Sequence, residues 1–168
     1  MLIPWLQRPI EVANLFNPAF CAALLCQAVE AHENEAGRGL SYPVAFVVLP
    51  VVLHKATREL LPRTTATKLH GWLQTHEQVR VGFAERMQQM VQLTREGLLF
   101  AMQHQVLTVD STGTLVLGLH SLGSQGKLDV AKDSETALCL KKAAFVGRWF
   151  ASIPNPIAFL ALWGIKLQ

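Results

Sequence analysis

The hydrophobic residues of the chain recur mainly at helical spacing, in segments that begin or end at prolines. Asn17 and Pro18 supply a helix N-cap and a first helical residue, and they predict a helix that runs to about Ala31. Residues 19–26 of this helix (AFCAALLC) are apolar on every side, which is typical of a helix in the middle of a fold. An earlier short helix is predicted from Pro9.

The next apolar run, Val44 to Leu49, is too short for its periodicity to distinguish a strand from the start of a helix. Pro50 then predicts the first residue of a helix that runs to Leu61 and is ended by Pro62. Three residues of this helix are expected to point inward, namely Leu53, Ala56 and Leu60. Four polar residues are expected to share its outer face, namely His54, Lys55, Arg58 and Glu59.

Two more helices are predicted before residue 105. The first follows a threonine-rich turn at 64–67, and its expected buried stripe is Leu69, Trp72, Leu73 and His76. The second runs from about Phe83 to His104. Its expected buried stripe is Phe83, Met87, Met90, Val91, Thr94, Leu98, Ala101 and Met102.

The hydrophobic period then changes to two, and Gly113 in the turn between residues 106–110 and 114–117 predicts a β-hairpin. Residues 118–133 are polar and carry three glycines, which predicts a loop. Ser134 or Asp133 caps a helix to Ala151. A last helix over 157–163 carries no polar residue, so we expect no face of it to meet water.

Helix, turn, helix and hairpin is the order of a winged helix-turn-helix. We therefore predict a mainly α-helical protein with a winged-helix-like core, one β-hairpin, and apolar helices at both ends. The length of 168 residues predicts a single domain. Its expected parts are amino-terminal helices in 1–40, the winged-helix-like core in 41–118, a loop in 119–133 and carboxy-terminal helices in 134–168.

The composition excludes several classes of protein. Hydrophobic residues make up 51% of the chain and charged residues 16%, which excludes a disordered chain. The longest apolar stretch, residues 43–53, is about half the length of a bilayer span, so we expect no membrane segment. The amino terminus lacks the charge and the apolar run of a signal peptide, which predicts a cytoplasmic protein.

The sequence indicates no cofactor and no catalytic motif. The three cysteines are odd in number and predict reduced, buried thiols; a zinc site of Cys21, Cys26 and His32 is the alternative, although the two cysteines fall on different helix faces. Phosphate-loop, nucleophile-elbow and zinc-protease motifs are absent. We therefore predict that the protein is not an enzyme.

For two groups of polar residues, the sequence does not distinguish a catalytic or metal-binding role from a structural one. His54, Lys55, Arg58 and Glu59 are the densest polar group, but their i,i+4 spacing also describes an ordinary solvated helix face. His70 and His76 flank Trp72. We interpret these two histidines as packing residues rather than metal ligands.

Nucleic acid is a candidate partner because residues 55–95 carry seven basic and three acidic side chains. The predicted contacts to DNA are Lys55, Arg58, Arg63 and Lys68. The hairpin tip, residues 110–114, carries no Lys or Arg, which favours a protein-interaction use of the fold.

A second candidate surface lies in the carboxy-terminal helices, where from residue 141 onward there are four basic residues and no acid. Aromatic side chains ringed by cations are typical of a docking surface for an acidic partner. The predicted interface is Lys141, Lys142, Phe145, Arg148, Trp149, Phe150, Phe159 and Trp163. The alternative interpretation is that these aromatic residues close the protein's own core.

Five segments together resemble one protein family. They are residues 8–21 (RPIEVANLFNPAFC), 45–58 (AFVVLPVVLHKATR), 94–100 (TREGLLF), 147–150 (GRWF) and 162–165 (LWGI). Their order resembles the small middle component of bacterial three-component ABC systems, the anti-phage group that includes Lamassu.

The resemblance implies a non-catalytic adaptor that binds an SMC- or Rad50-like ABC ATPase and couples DNA sensing to an effector, often a nuclease. Double-stranded DNA would then be reached through the complex. The competing hypothesis is a stand-alone winged-helix transcription regulator, which would need a basic reading helix and a dimer surface.

Overall fold

The computed structural model describes residues 3–10, 16–121 and 134–166, and it confirms a mainly helical fold with a small antiparallel sheet. A 3-10 turn, Trp5–Gln7, comes first. The helices are α1 (Pro18–Ala36), α2 (Tyr42–Val52), α3 (Lys55–Leu60), α4 (Leu69–Thr75), α5 (Glu77–Arg80), α6 (Phe83–Gln89), α7 (Val91–Gln103), α8 (Glu135–Phe150) and α9 (Pro156–Leu162). The strands are β1 (Leu40–Ser41), β2 (Leu107–Val109) and β3 (Thr114–Leu117). Most of the helix predicted from Pro9 and most of the loop predicted over 119–133 fall on residues outside the described ranges.

Helix α1 is at the centre of the packing. It begins as the sequence predicts, because Asn17 Oδ1 accepts a hydrogen bond from Ala19 N at 2.8 Å. It continues past Ala31 to Ala36, where Gly37 ends it with a φ of 66°. Residues 21–26 are all buried, because α1 packs against both α7 and α8.

The ambiguous segment from Val44 to Leu49 is helical and lies within α2. The prediction that Pro50 begins a new helix is wrong, because Pro50 lies inside α2. A proline inside a helix lacks the N–H donor and crowds the carbonyl four residues earlier, but helical hydrogen bonding continues beyond Pro50, since Leu53 N bonds to Leu49 O at 2.9 Å. Every residue from Val44 to Val52 is buried, and this burial stabilises the helix across the proline.

The single helix predicted over 83–104 is divided at Met90 into α6 and α7. Thr94 Oγ1 donates to Met90 O at 3.0 Å, a side-chain bond that competes with the backbone and bends helices. The predicted buried stripe is largely confirmed, since Phe83, Met90, Thr94, Leu98 and Ala101 are buried, while Met87, Val91 and Met102 are half-buried.

The predicted hairpin is present as β2 and β3, with Gly113 at a φ of 80° in its turn. Val109 pairs with Leu115 in this hairpin. Strand β1 pairs with the other side of β3, with Leu40 opposite Leu115, so that the sheet order is β1-β3-β2. The sequence did not predict β1, because two residues are too few to show an alternating pattern.

The carboxy-terminal helices begin at the predicted caps. Ser134 Oγ accepts a hydrogen bond from Ala137 N at 3.1 Å, and Asn155 Oδ1 accepts one from Ile157 N at 2.9 Å. The expectation that α9 has no solvent-facing side is wrong, because Ile157 is 66% exposed. None of the described helices combines the length and the hydropathy that a bilayer crossing requires.

Candidate functional site

Aromatic side chains from α4, α6, α8 and α9 meet in one group. We call this group the aromatic cluster; it consists of the buried rings of Trp72, Phe83, Trp149, Phe150, Phe159 and Trp163. Centroids of contacting rings are 4.5 to 6.5 Å apart. Phe83 stacks on Trp163, whereas Phe150 meets Phe159 edge to face. Such pairs add about 0.5–1.5 kcal/mol each to the free energy gained by burial, so the cluster holds these helices together.

The three indole N–H groups of the cluster differ in their hydrogen bonding. Trp149 Nε1 donates to Thr67 O at 2.6 Å, and Trp72 Nε1 donates to Leu60 O at 3.1 Å. Trp163 Nε1 is buried without a hydrogen-bond partner. His76 is half-buried and stacks on Trp72 with ring centroids 4.9 Å apart, as its predicted packing role requires. The same prediction is wrong for His70, which is exposed.

The predicted docking residues divide into an inner and an outer set. The inner set is at most 8% exposed and consists of Phe145, Trp149, Phe150, Phe159 and Trp163. These rings are buried, as the alternative interpretation expects, in which they close the protein's own core. The outer set is cationic: Lys141 and Arg148 are exposed, and Lys142 is half-buried.

Arg58 is buried, although the sequence predicted it on the outer face of its helix. It is 2% exposed, its Nη1 donates to Val52 O at 2.8 Å, and its Nη2 lies 2.7 Å from Glu135 Oε1. The predicted inner face is also wrong, since Ala56 and Leu60 are exposed. The reason is the break between α2 and α3: a helix that begins at Lys55 does not keep the phase of one that begins at Pro50.

The other residues predicted to contact nucleic acid lie at the surface. Lys55, Arg63 and Lys68 are all exposed. Lys55 Nζ is 3.9 Å from Glu59 Oε1, a solvent-exposed ion pair of little energetic value. Arg58 does not join this group, because its guanidinium is engaged inside the fold.

His54 caps the amino terminus of α3. Its Nδ1 accepts a hydrogen bond from Thr57 N at 3.3 Å and lies 2.8 Å from Thr57 Oγ1. Burial lowers the pKa of His54, and the charges of Arg86 and Arg58 lower it further, so the neutral imidazole that the cap requires is favoured. The four residues of the densest polar group are therefore a helix cap (His54), an exposed ion pair (Lys55 and Glu59) and a buried arginine that pairs with an exposed carboxylate (Arg58).

The cysteines of α1 are buried thiols. Burial raises the pKa of Cys21 and of Cys26 to about 12, with smaller effects of Glu96 and Glu30 respectively. Within residues 3–10, 16–121 and 134–166, no three His, Cys, Asp or Glu side chains are grouped so that they could hold a metal ion. The zinc alternative therefore has no support in these residues.

The tip of the hairpin is organised by Asp110. Its carboxylate accepts hydrogen bonds from the backbone N–H and the hydroxyl of both Thr112 and Thr114. These bonds, first among them the one from the Thr112 hydroxyl, lower the pKa of Asp110 to about 2. The tip is thus closed around an anion, and its charge is opposite to that of a DNA-binding wing.

An apolar groove beside the hairpin was missed in the sequence. It has a volume of about 270 Å³ and is lined in part by Met102, Leu107, Leu117 and Leu119. Leu119 is 88% exposed. The available signal was residues 115–119 (LVLGL), in which neither face of the strand carries a polar side chain.

The comparisons with known proteins give one match. No curated protein and no solved structure matches the chain. The family model of the ABC-three component (ABC-3C) system Middle Component 3 matches residues 5–167. Because this match covers nearly the whole sequence, the protein belongs to the Middle Component 3 family of ABC-three component systems.

Proposed function

We propose that the protein is a non-catalytic adaptor of a cytoplasmic anti-phage ABC-three component system, binding an SMC- or Rad50-like ABC ATPase and coupling it to an effector such as a nuclease. The single observation that carries this proposal is the family match over residues 5–167. A middle component must contact other components of its system.

The use of the polar side chains supports an adaptor rather than an enzyme. Arg58 binds Val52 O and Glu135, and His54 caps α3. Arg8 makes a two-point ion pair with Glu96, at 3.0 and 2.7 Å. In each case the contacts stabilise the fold, and this is the role expected of charged groups in a subunit whose work is binding.

We propose the outer side of α8 and α9 as the docking surface for the ATPase. The aromatic cluster makes these helices rigid, and Lys141, Lys142 and Arg148 supply the cations. Ile157 of α9 is 66% exposed and offers an apolar contact to a partner. The aromatic residues act in this proposal as support for the surface, not as its anchors.

We also propose that the complex, rather than this chain alone, contacts double-stranded DNA through Lys55, Arg63 and Lys68. The winged-helix interpretation is supported by the antiparallel sheet order β1-β3-β2, in which β1, the strand that precedes α2, pairs with the hairpin as a third strand. The short helices α3 to α6 lie between α2 and α7 and depart from a simple helix-turn-helix. The acidic tip at Asp110 disfavours a stand-alone DNA-binding regulator.

The test is to purify the tagged chain from cells that express the other two components of its system. We expect the ABC ATPase and the effector to co-purify with it at low salt, and we expect the binding to weaken as the salt concentration rises, because cations supply most of the proposed docking contacts. A chain that purifies alone, as a dimer that binds duplex DNA, would instead support the transcription regulator.

A further inference from the structure

Arg86 of α6 is a partly desolvated cation that has no ion-pair partner among the described residues. Its Nε is buried without a hydrogen-bond acceptor, while the side chain as a whole is half-buried and still reaches solvent. The guanidinium carbon lies 5.4 Å from the ring centroid of Phe83, which is fully buried. Burial lowers the pKa of Arg86, although a guanidinium stays protonated at neutral pH.

The other enclosed arginines of the described chain show what this fold does with such a group. Arg58 also leaves its Nε without a hydrogen-bond partner, but its Nη2 lies 2.7 Å from Glu135 Oε1, and Arg8 Nη2 lies 2.7 Å from Glu96 Oε1. Arg86 forms no such ion pair among the described residues, and its positive charge acts on His54 together with that of Arg58. Removing a cation from water without a counter-charge costs free energy, which a later partner can return.

We propose that Arg86 binds a carboxylate side chain of another subunit of the ABC-three component system, so that its ion pair is completed only in the assembled complex. This inference rests on the proposed adaptor function. The guanidinium is already held against Phe83, so little side-chain freedom remains to be lost when the carboxylate arrives. Arginine is one of the residue types enriched among interface hot spots.

The charges close to Arg86 in the sequence favour a carboxylate over a nucleic-acid phosphate. Glu85 is adjacent to Arg86 and exposed, and Glu77 and Arg80 on α5 are exposed as well. The segment from Glu77 to Arg86 therefore carries two acids and two cations and has no net charge. A polyanion gains little attraction from such a segment, whereas a single carboxylate can pair with one guanidinium.

The test measures the affinity of the full chain for the purified complex of the other two components. We expect Arg86→Gln to weaken binding about tenfold or more, since a charge-assisted contact is lost. Arg95→Gln, at an exposed cation of α7, is the matched control and should change the affinity by less than about twofold. The melting temperature of Arg86→Gln should be equal to or above that of the wild type, because the variant removes an unpaired desolvated charge.

Four outcomes would overturn the proposal. The first is wild-type affinity of Arg86→Gln for the other components. The second is a loss confined to a short DNA duplex, which would assign Arg86 to phosphate. The third is a marked fall in the melting temperature of both Arg86→Gln and Arg86→Lys, which would make the residue structural. The fourth is that the wild-type chain itself does not bind the other two components. This result would contradict the proposed adaptor function as well, and it is recognised because it appears before any variant is compared.

Discussion

The guanidinium of Arg58 and the carboxylate of Glu135 meet at 2.7 Å, although 77 positions separate them in the chain. The Arg58 side chain is 3% exposed and that of Glu135 is 70% exposed, so the pair connects the interior side of α3 to the first turn of α8. Because Arg58 also donates to Val52 O at 2.8 Å, one side chain joins the end of α2, α3 and α8.

Arg58→Ala should therefore lower the free energy of unfolding by about 2–3 kcal/mol, since the buried Val52 O loses its donor and the packing of a buried side chain is lost. Lys55→Ala, on the same helix but in an exposed ion pair, should change it by less than about 0.5 kcal/mol. Urea unfolding followed by circular dichroism measures both. Equal losses in the two variants would mean that Arg58 has no special structural role.

A methyl group at position 147 should be poorly tolerated. A β-carbon on Gly147 would collide with the backbone carbonyl of Ala28, at the contact between α8 and α1. We expect Gly147→Ala to cost about 1–3 kcal/mol of folding stability, as overpacking does. Gly71→Ala is the control: in α4 a β-carbon meets nothing within 4 Å, so this variant should gain about 0.5–1 kcal/mol. A melting temperature of Gly147→Ala that is equal to or above that of the wild type would contradict the close packing of these helices.

Trp163→Ala should act on folding rather than directly on docking. Its side chain is 1% exposed and touches Phe83, so its loss leaves a cavity that we expect to cost about 3–5 kcal/mol. Ile157→Ala, at an exposed position of the same helix, should cost less than about 0.5 kcal/mol of stability. If docking uses the outer side of α9, Ile157→Ala should weaken binding to the ATPase while the melt stays unchanged. A stable Trp163→Ala variant with weakened binding would restore Trp163 as an interface anchor.

Stability should fall as the pH drops below about 6.5, the ordinary histidine pKa. Burial lowers the pKa of His54 and of His32 in the folded state, so the unfolded chain takes up protons first. The contribution of the neutral histidines is complete above their unfolded pKa and is lost as the pH falls towards the folded pKa. His54→Asn keeps a capping side chain but does not titrate, so its stability should depend less steeply on pH than that of the wild type. Identical slopes in denaturation experiments across this range would exclude a contribution of His54.

Replacing Lys55, Arg63 and Lys68 by Glu should weaken DNA binding by the assembled complex and flatten its salt dependence, by about one unit of slope for each phosphate contact removed. Arg58 is left in place because it is buried. Arg38→Glu, at an exposed cation outside this group, is the control for a change in overall charge. Unchanged DNA affinity in the triple variant would assign these lysines and the arginine to solvent or to protein contacts, provided that the complex still assembles.

Local interactions allowed the sequence to predict most helix starts. Asn17, Ser134 and Asn155 each cap a helix through a bond to a backbone N–H two or three residues away. The hairpin was predicted for the same reason, since its turn and its alternation lie within twelve residues of one another. Such contacts do not depend on the rest of the fold.

The position of Pro50 and the faces of α3 were decided by contacts between distant segments. Pro50 remains in a helix because every residue around it is buried against neighbouring elements. Arg58 turns inward because Glu135, far away in sequence, supplies its counter-charge. A helix period assigns polar residues to the outside, and it carries no information about a partner on another helix.

The carboxy-terminal aromatic residues show, for the functional site, the same division between what the sequence determines and what the tertiary structure determines. The sequence by itself identified them as one group and associated them with cations, and its order of segments identified the family. It left open whether the rings face a partner or the protein's own core, because burial of apolar surface is non-directional and both arrangements use the same residues. Only the tertiary structure, which brings Trp72 and Phe83 against Trp149 and Trp163, decided that these rings pack on one another.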